Sequence, residues 1–279
     1  MQSLTITNSN GDSIVLGHRP PFLLSKIDGL GDVDADVQMT RAPFQDGSTH
    51  VDTLLQPRFI DMEISILTDD VSGMRQQLAR VLNPKLTLSL VYENGSVTRQ
   101  IQAYSEHVPK YPSDGRGRRY QIALINLVCP NPYWQDVNPT MLKLQDFVGN
   151  FFFPVSFPAS FSIRGDQENF INDGHVSTPI KVTFRGEAVN PMITNVSTGE
   201  FIRVNRTIPA EHSLVITTDM NYRTVRIVDP YGVEMNAMGY IDLASTFFSL
   251  DVGENNLSFI TDGGNPEVFI EYRNRYLGV

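Results

Sequence analysis

Apolar and polar residues alternate with a period of two along much of this 279-residue chain. The pattern is clearest over residues 59–66, where one face carries Ile60, Met62, Ile64 and Ile66. Such alternation is typical of a β-strand with one buried face. The same signal predicts strands over residues 86–92, 97–103, 120–124, 180–184, 214–216, 225–227, 247–250 and 268–272. The turn Glu93-Asn94-Gly95-Ser96 predicts a hairpin, and the whole pattern predicts a mainly β fold.

One helix is predicted in the first half of the chain. Its apolar residues recur at helical spacing and are Val71, Met74, Leu78 and Val81. Asp69, Asp70 or Ser72 is available to cap its start, and Asn83-Pro84 is expected to end it. We expect the apolar face of this helix to pack on the sheet.

Proline and aromatic residues mark a boundary between two strand-rich halves. The stretch Cys129–Trp134 is followed by the aromatic run Phe151–Pro158, and proline fits neither a helix interior nor a central strand. We predict two domains, residues 1–134 and 135–279. The first is expected to be a β-sandwich with one helix and a projecting hairpin, and the second a β-sandwich or jelly roll. Pro132, Tyr133 and Trp134 are predicted to fix the two domains in a defined relation.

Charge and cysteine content exclude several classes of protein. The formal net charge of −9 argues against a nucleic-acid coat, because phosphate binding is driven by lysine and arginine. The single cysteine, Cys129, excludes an intrachain disulfide and fits folding in a reducing cytoplasm. The first residues lack the pattern of a signal peptide, and no long apolar run predicts a membrane span. We therefore expect a soluble protein with no membrane contact.

A second long alternating segment runs over residues 32–40. With the extended run Ser48–Leu55 it predicts a hairpin near residues 32–55 that projects from its domain. An isolated two-stranded ribbon is marginal in water, so a neighbouring subunit is expected to cover its apolar face. The predicted subunit contacts are Val33, Val37, Met39 and Phe44. Asp32, Asp34 and Asp36 could instead bind calcium, but the spacing of the calcium-loop pattern is missing. A solvated strand face is the favoured interpretation, with a charged contact to a partner as a further alternative.

No set of residues predicts catalysis, a metal site or a cofactor. The five histidines, His18, His50, His107, His175 and His212, lack metal-ligand spacing. Cys129 has no cysteine-hydrolase signature around it and is interpreted as a small buried apolar residue. The basic cluster Arg116–Arg119 is interpreted as a solvated loop tip, with docking of an acidic neighbour as the alternative. We therefore predict that the protein is not an enzyme.

Short motifs in both halves share their order with one known family. In the first half they are Ile27-Asp28-Gly29-Leu30, Asp46-Gly47-Ser48, Gln56-Pro57-Arg58, Leu82-Asn83-Pro84 and Cys129-Pro130-Asn131-Pro132-Tyr133-Trp134. In the second half they include Ile171-Asn172-Asp173-Gly174, Asn190-Pro191-Met192, Gly253-Glu254-Asn255 and Arg275-Tyr276-Leu277-Gly278-Val279. Together they resemble the distal tail proteins of siphophages, the long-tailed phages.

This resemblance implies a structural protein of the virion tail tip, assembled in the bacterial host cytoplasm. Six copies would form a ring that joins the tail tube to the tail-associated lysin or fibre hub. The rim of this homo-hexamer would be open to receptor-binding proteins, and DNA would pass through the ring without specific binding. The resemblance also implies an N-terminal ring-forming domain with a belt hairpin, placed here near residues 32–55, and a galectin-like C-terminal β-sandwich.

Carbohydrate binding by the second domain is the alternative function. Its tyrosines and phenylalanines could stack on a sugar, although alternating aromatic residues in a sandwich are more often part of the core. The chain has neither an inserted domain nor the galectin-type sugar signature His-x-Asn-Pro-Arg. The alternative is therefore an adhesion module that contacts the host cell wall.

Overall fold

The computed structural model describes residues 2–114, 116–144 and 166–279. They form two compact units, the first made of Met1–Val137 with Tyr276–Val279 and the second of Asn138–Arg275. The predicted domain boundary, after residue 134, lies a few residues before the one in the structure. The prediction also assigned residues 276–279 to the second domain, whereas here they belong to the first. The predicted aromatic run at 151–158 lies outside the described residues.

The described part of the first unit contains a large β-sheet, one helix and a separate strand pair. Its elements are β1 (Gln2–Asn8), β2 (Ser13–Leu16), β3 (Phe22–Asp28), β4 (Ala35–Thr40), β5 (Thr49–Leu55), β6 (Arg58–Leu67), α1 (Val71–Val81), β7 (Thr87–Asn94), β8 (Val97–Ser105), β9 (Tyr120–Cys129) and β10 (Trp134–Asp136). The main sheet has the order β2-β1-β7-β8-β9-β6-β3, with antiparallel neighbours, and β10 pairs with β8. Among the described strands, β4 and β5 pair with each other and with no other strand.

The strands predicted for this unit are confirmed. In β9, however, the more deeply buried face is not the one that carries Ile122 and Leu124. β6 alternates as expected, and its apolar face is almost fully buried. In β9 the buried face carries Ala123, Ile125, Leu127 and Cys129, whereas Ile122 and Leu124 are only half-buried. Because β9 is apolar on both faces, its alternation does not reveal which face meets the core. The predicted hairpin joins β7 to β8, and Gly95, with φ of 64°, supplies the positive φ of its turn.

The predicted helix is confirmed at both ends. The Asp70 side chain accepts a hydrogen bond from the Gly73 backbone N–H at 2.9 Å and caps the start of α1. Leu78 and Val81 are buried in the core of the unit, and Met74 packs against that core. Across the described ranges, no helix has the length and apolar character needed to cross a membrane.

The second unit is built of β-strands in several small sheets. They are β11 (Thr140–Leu144), β12 (Asp166–Asn172), β13 (Thr178–Arg185), β14 (Ala188–Val189), β15 (Met192–Asn195), β16 (Glu200–Arg203), β17 (Thr207–Ile208), β18 (Ser213–Thr217), β19 (Thr224–Val228), β20 (Glu234–Asn236), β21 (Ser249–Leu250), β22 (Gly253–Ile260), β23 (Gly263–Gly264) and β24 (Glu267–Tyr272), with a short 3-10 turn at Met238–Tyr240. The last strand, β25, comprises Arg275–Tyr276. The strand predicted over 247–250 is limited to β21.

Two sheets of the second unit share one core. The larger has the order β11-β24-β13-β18-β19-β20, and the smaller has the order β12-β22-β15-β16. Buried side chains of both sheets form a single apolar cluster, in which the Phe184 and Phe259 rings meet edge to face at 6.2 Å between centroids. This arrangement of two layers is that of a β-sandwich. The protein is thus mainly β, with two domains of antiparallel sheets and, in its described residues, one α-helix.

Candidate functional site

The pair β4 and β5 forms an exposed ribbon, which we define as residues 35–55. Every residue of the two strands is exposed except Leu55, which is partly buried. Within the turn that joins the strands, Arg41 Nε donates to the Gln45 carbonyl oxygen at 2.8 Å. The Ala42 backbone N–H donates to the Gln45 side-chain oxygen at 3.0 Å. The turn is therefore ordered by its own side chains, while the faces of the strands lack cover within this domain.

One face of the ribbon is apolar. Ala35, Val37 and Met39 lie on the same face of β4, because successive strand residues point to opposite sides. Val37 is 47% exposed and Met39 is 62% exposed. Phe44, at the turn, is fully exposed and has a φ of 65°, which is unusual for a residue other than glycine. The described part of the first domain thus leaves much or all of each of these large apolar side chains open to water.

Three of the four residues predicted to contact a neighbouring subunit lie on the ribbon. Val37, Met39 and Phe44 lie on the ribbon, but Val33 precedes it and is partly buried. The predicted strand began at Asp32, whereas β4 begins at Ala35, because the Asp32 carbonyl oxygen accepts a hydrogen bond from Arg58 Nη1 and does not join a strand pair. The prediction did not include Val51 and Leu54, which are also exposed, at 60% and 50%.

Arg58, the first residue of β6, holds the chain where it enters the ribbon. The side chain is 1% exposed, and its donors reach backbone carbonyl oxygens instead of a carboxylate. Nη1 donates to the carbonyl oxygens of Gly29 at 2.8 Å and Asp32 at 3.0 Å. Nε donates to Pro132 at 2.8 Å, and Nη2 donates to Leu277. Burial lowers the pKa of this guanidinium below its ordinary value, and the carbonyl oxygens compensate for the water that it loses.

Trp134 holds the same segment from a second direction. Its indole Nε1 donates to the Leu30 carbonyl oxygen at 3.1 Å, and the side chain is fully buried in the core of the first domain. The Trp134 and Tyr92 rings lie 6.2 Å apart, between centroids. We call residues 29–32 the root loop of the ribbon. The prediction that Pro132, Tyr133 and Trp134 fix the two domains relative to each other stays a prediction.

Comparison with protein families agrees with this architecture in both domains. Residues 9–129 match the phage tail protein RIFT-related domain, and residues 173–276 match the C-terminal domain of siphovirus-type tail components. The chain belongs to the siphophage distal tail protein family. This family is structural, and the distal tail protein described here is a component of a phage tail.

Solved structures of phage tails share the fold of this distal tail protein. The Dit protein of phage SPP1, described as a paradigm of the hub adsorption apparatus in phages that infect Gram-positive bacteria, is 11% identical. It has a TM-score of 0.66 with 98% of each chain covered. Chains of the phage P2 baseplate in its activated conformation, with calcium or with strontium, are 10% identical with TM-scores of 0.58 and 0.56 and full coverage of both chains. The comparison with curated proteins found no match.

Four motifs that carried the family resemblance meet at the root loop of this distal tail protein. They are Ile27-Asp28-Gly29-Leu30, Gln56-Pro57-Arg58, the stretch Cys129–Trp134 and the stretch Arg275–Val279. Arg58 contacts the other three motifs through the carbonyl oxygens of Gly29, Pro132 and Leu277. The sequence analysis did not single out Arg58 as a functional residue, although it lies in one of the motifs. The feature that could have indicated its role is its position, which continues the buried apolar face of Ile60 and Met62.

Cys129 lies at the end of β9 and is fully buried. Burial raises the pKa of its thiol to about 12, and the nearby Arg58 guanidinium offsets this only in part. A neutral buried thiol is a poor nucleophile because the thiolate is the reactive form. The side chain acts as a small apolar residue of the core.

We expect the Cys129 thiol of the folded protein to react very slowly with alkylating reagents. At pH 8 a thiol with a pKa of about 12 has about a thousandfold less thiolate than one near 9. Because the pKa is raised, the rate should increase about tenfold per pH unit above pH 8 while the domain stays folded. Iodoacetamide labelling followed by mass spectrometry measures this, with the urea-unfolded chain as control. Equal rates for the folded and unfolded chains would contradict the assignment.

The histidines and aspartates do not assemble into a metal site in the part of the chain that the structure describes. His18, His50 and His175 are exposed, and His107 and His212 are partly buried. Within residues 2–114, 116–144 and 166–279, no three His, Cys, Asp or Glu side chains are grouped so that they could hold a metal ion. The three aspartates at the start of the predicted ribbon, Asp32, Asp34 and Asp36, are all exposed.

The basic cluster lies on an exposed loop. The side chains of Arg116, Arg118 and Arg119 are exposed, and Arg119 forms an ion pair with Asp69, which is itself mostly exposed. Ion pairs between exposed side chains contribute little to stability. The arrangement agrees with the interpretation of a solvated loop tip.

Several aromatic side chains among the described residues of the second domain form part of its core, including Phe170, Phe184, Phe259 and Tyr272. Three tyrosines are exposed, but two of these rings lie beside a guanidinium. The Arg226 guanidinium lies 5.5 Å from the centre of the Tyr222 ring, and that of Arg206 lies 4.2 Å from the centre of the Tyr240 ring. Tyr231 is 90% exposed in a turn. A charged group over a ring occupies one face that a sugar would need for stacking.

Proposed function

We propose that this distal tail protein forms a ring of six copies at the distal end of a long non-contractile tail. One face of the ring contacts the tail tube, and the other contacts the tail-associated lysin or fibre hub. The rim carries receptor-binding proteins. The mechanism is geometric, since the protein acts by holding these parts in register. The likeness in fold to a protein described as part of a hub adsorption apparatus supports this proposal.

The exposed ribbon carries the proposal. A cyclic ring repeats one heterologous interface, so an apolar surface on one side of each subunit is buried once per subunit. The uncovered face of Val37 and Met39, with Phe44 at the turn, is suited to such an interface. Val33 lies beside the root of the ribbon and is proposed to extend the same contact. Burial against a neighbour also covers a strand pair that is marginal when left in water.

The charge of the protein fits a ring through which DNA passes. A net charge of −9 per subunit disfavours binding of the phosphate backbone. DNA in the lumen would therefore move past the ring without specific contacts during ejection.

Electron microscopy of purified tails tests the proposal. We expect antibodies against this protein to label the tail tip, and we expect class averages of the labelled end to show sixfold symmetry. Tails from phages that lack the gene should end without the hub, and supply of the intact protein in the host should restore it. Tails that lack the protein altogether, together with cell-wall binding by the full chain, would favour the carbohydrate-binding adhesion module instead.

A further inference from the structure

Three of the four residues of the root loop are held by hydrogen bonds from buried side chains. The carbonyl oxygens of Gly29 and Asp32 accept hydrogen bonds from Arg58, and that of Leu30 accepts one from Trp134. The remaining residue, Gly31, lies against Gly278, where an added Cβ would be 3.0 Å from the Gly31 Cα. The next residues lead directly into β4, and the Gln56 backbone N–H donates to the Asp34 carbonyl oxygen at 2.8 Å and closes the base of the ribbon.

These contacts restrict the loop because the groups that make them are buried and rigid. Arg58 and Trp134 are at most 1% exposed, so neither donor has water as an alternative partner. A guanidinium is planar and sets the directions of its acceptors, and Trp134 is fixed in the core. If the loop turned, several carbonyl oxygens would lose their hydrogen bonds inside the protein, which is costly. The loop therefore has one favoured arrangement.

We propose that Arg58 and Trp134 are positioning residues that fix the direction in which the ribbon leaves the first domain. The direction of the ribbon matters because a small rotation at its root displaces its far end by several ångströms. A six-residue strand is about 20 Å long, so a rotation of roughly 10° at the root moves its far end by about 3.5 Å. Close-packed interfaces do not tolerate such displacements. In this respect the inference rests on the proposed function, since ring closure is what requires a fixed direction.

Spin-label distances in the full-length monomer test the inference without reference to the ring. Labels are attached at Asp46→Cys, on the turn of the ribbon, and Glu106→Cys, which directly follows β8. Both positions are exposed. Cys129 is buried and stays unlabelled. We expect Arg58→Lys to widen the distribution of distances between the labels at least twofold, because an ammonium has only three donors and lacks the rigid fork of a guanidinium that meets four carbonyl oxygens.

Ile66→Ala is the matched control. Ile66 is buried in the same strand as Arg58 but far from the root, so its loss destabilises the domain without releasing the loop. We expect this variant to keep the parent width of the distribution. If Arg58→Lys kept that width too, the inference would be overturned and Arg58 would have a purely structural role.

A second variant keeps the inference testable if Arg58→Lys does not fold. Trp134→Phe retains an aromatic ring in the core but removes the N–H that donates to Leu30. We expect it to widen the distribution, and an unchanged width would contradict the role of Trp134. If the parent protein gave a narrow distribution of distances but formed no ring, that result would contradict the proposed function alone.

Discussion

Replacement of Val37 and Met39 together by aspartate is expected to abolish ring formation while the monomer stays folded. Both side chains are exposed in the single chain, so the substitution leaves the domain core intact. In a ring they would be buried against a neighbour, and an unpaired carboxylate in an apolar interface costs several kcal/mol. A loss of about 3 kcal/mol weakens each interface by about a hundredfold, and the closed ring repeats that loss at each interface.

The opposite face of the same strand provides the control. Gln38→Asp with Thr40→Asp adds the same charge to β4 on its polar face, and both residues are exposed. We expect this variant to assemble as the parent does. Light scattering after gel filtration measures whether each variant forms a ring. Complementation of a phage that lacks the gene tests whether each variant restores the tail tip, and circular dichroism checks the fold. Normal rings from the Val37 and Met39 variant would remove the ribbon from the proposed interface.

Gly29→Ala is expected to destabilise the first domain by about 3 kcal/mol, from the strain of a positive φ and from overpacking. Gly29 has a φ of 89°, which disfavours any side chain. An added Cβ would lie 1.9 Å from the Phe59 carbonyl oxygen, so the backbone of the loop or of β6 must move. Since Arg58 donates to the Gly29 carbonyl oxygen, this movement also disturbs the root loop.

Gly31→Ala is the neighbouring control in the same loop. No atom lies within 4 Å of a Cβ added at Gly31, and its φ is not positive. We expect an unfolding temperature close to that of the parent, whereas Gly29→Ala should lower the transition of the first domain by about 10 °C. Differential scanning calorimetry measures both. A stable Gly29→Ala variant would show that the root loop is more adaptable than its contacts indicate.

Local patterns in the sequence predicted much of this fold. Helix α1 was predicted with its apolar face, and Asp70 was one of three candidates for its cap, because both features depend on residues three or four apart. Strand β6 was predicted because only one of its faces is apolar. The burial of Ala123 and Ile125 in β9 was not predicted, since a strand that is apolar on both faces gives no information about which face is deeper.

The ribbon was predicted from its alternation, but its details depend on the pairing of two strands. A bulge between Gln38 and Met39 shifts the register, so that Met39 pairs with His50. An extra residue in one strand interrupts the period of two, which hid the exposed Val51 from the sequence pattern. Bulges are features of pairing between strands and cannot be read from one strand alone.

The root loop could not be predicted from the residues because its contacts join distant parts of the chain. Arg58 and Leu277 are 219 residues apart in sequence. No local pattern indicates that an arginine on an apolar face will meet backbone carbonyl oxygens from three segments. The family motifs marked the right segments, but only the fold shows that they meet.

The carbonyl partners of Arg58 have a consequence for the conditions that a virion meets outside its host. Carbonyl oxygens do not take up protons in the range of natural waters, and arginine keeps its charge there. A carboxylate partner would weaken on acidification, and an exposed ion pair would weaken in brine. The ribbon is thus anchored by groups whose hydrogen bonds do not depend on pH or salt concentration. The direction in which it leaves the first domain should therefore be the same in acidic, fresh or saline water.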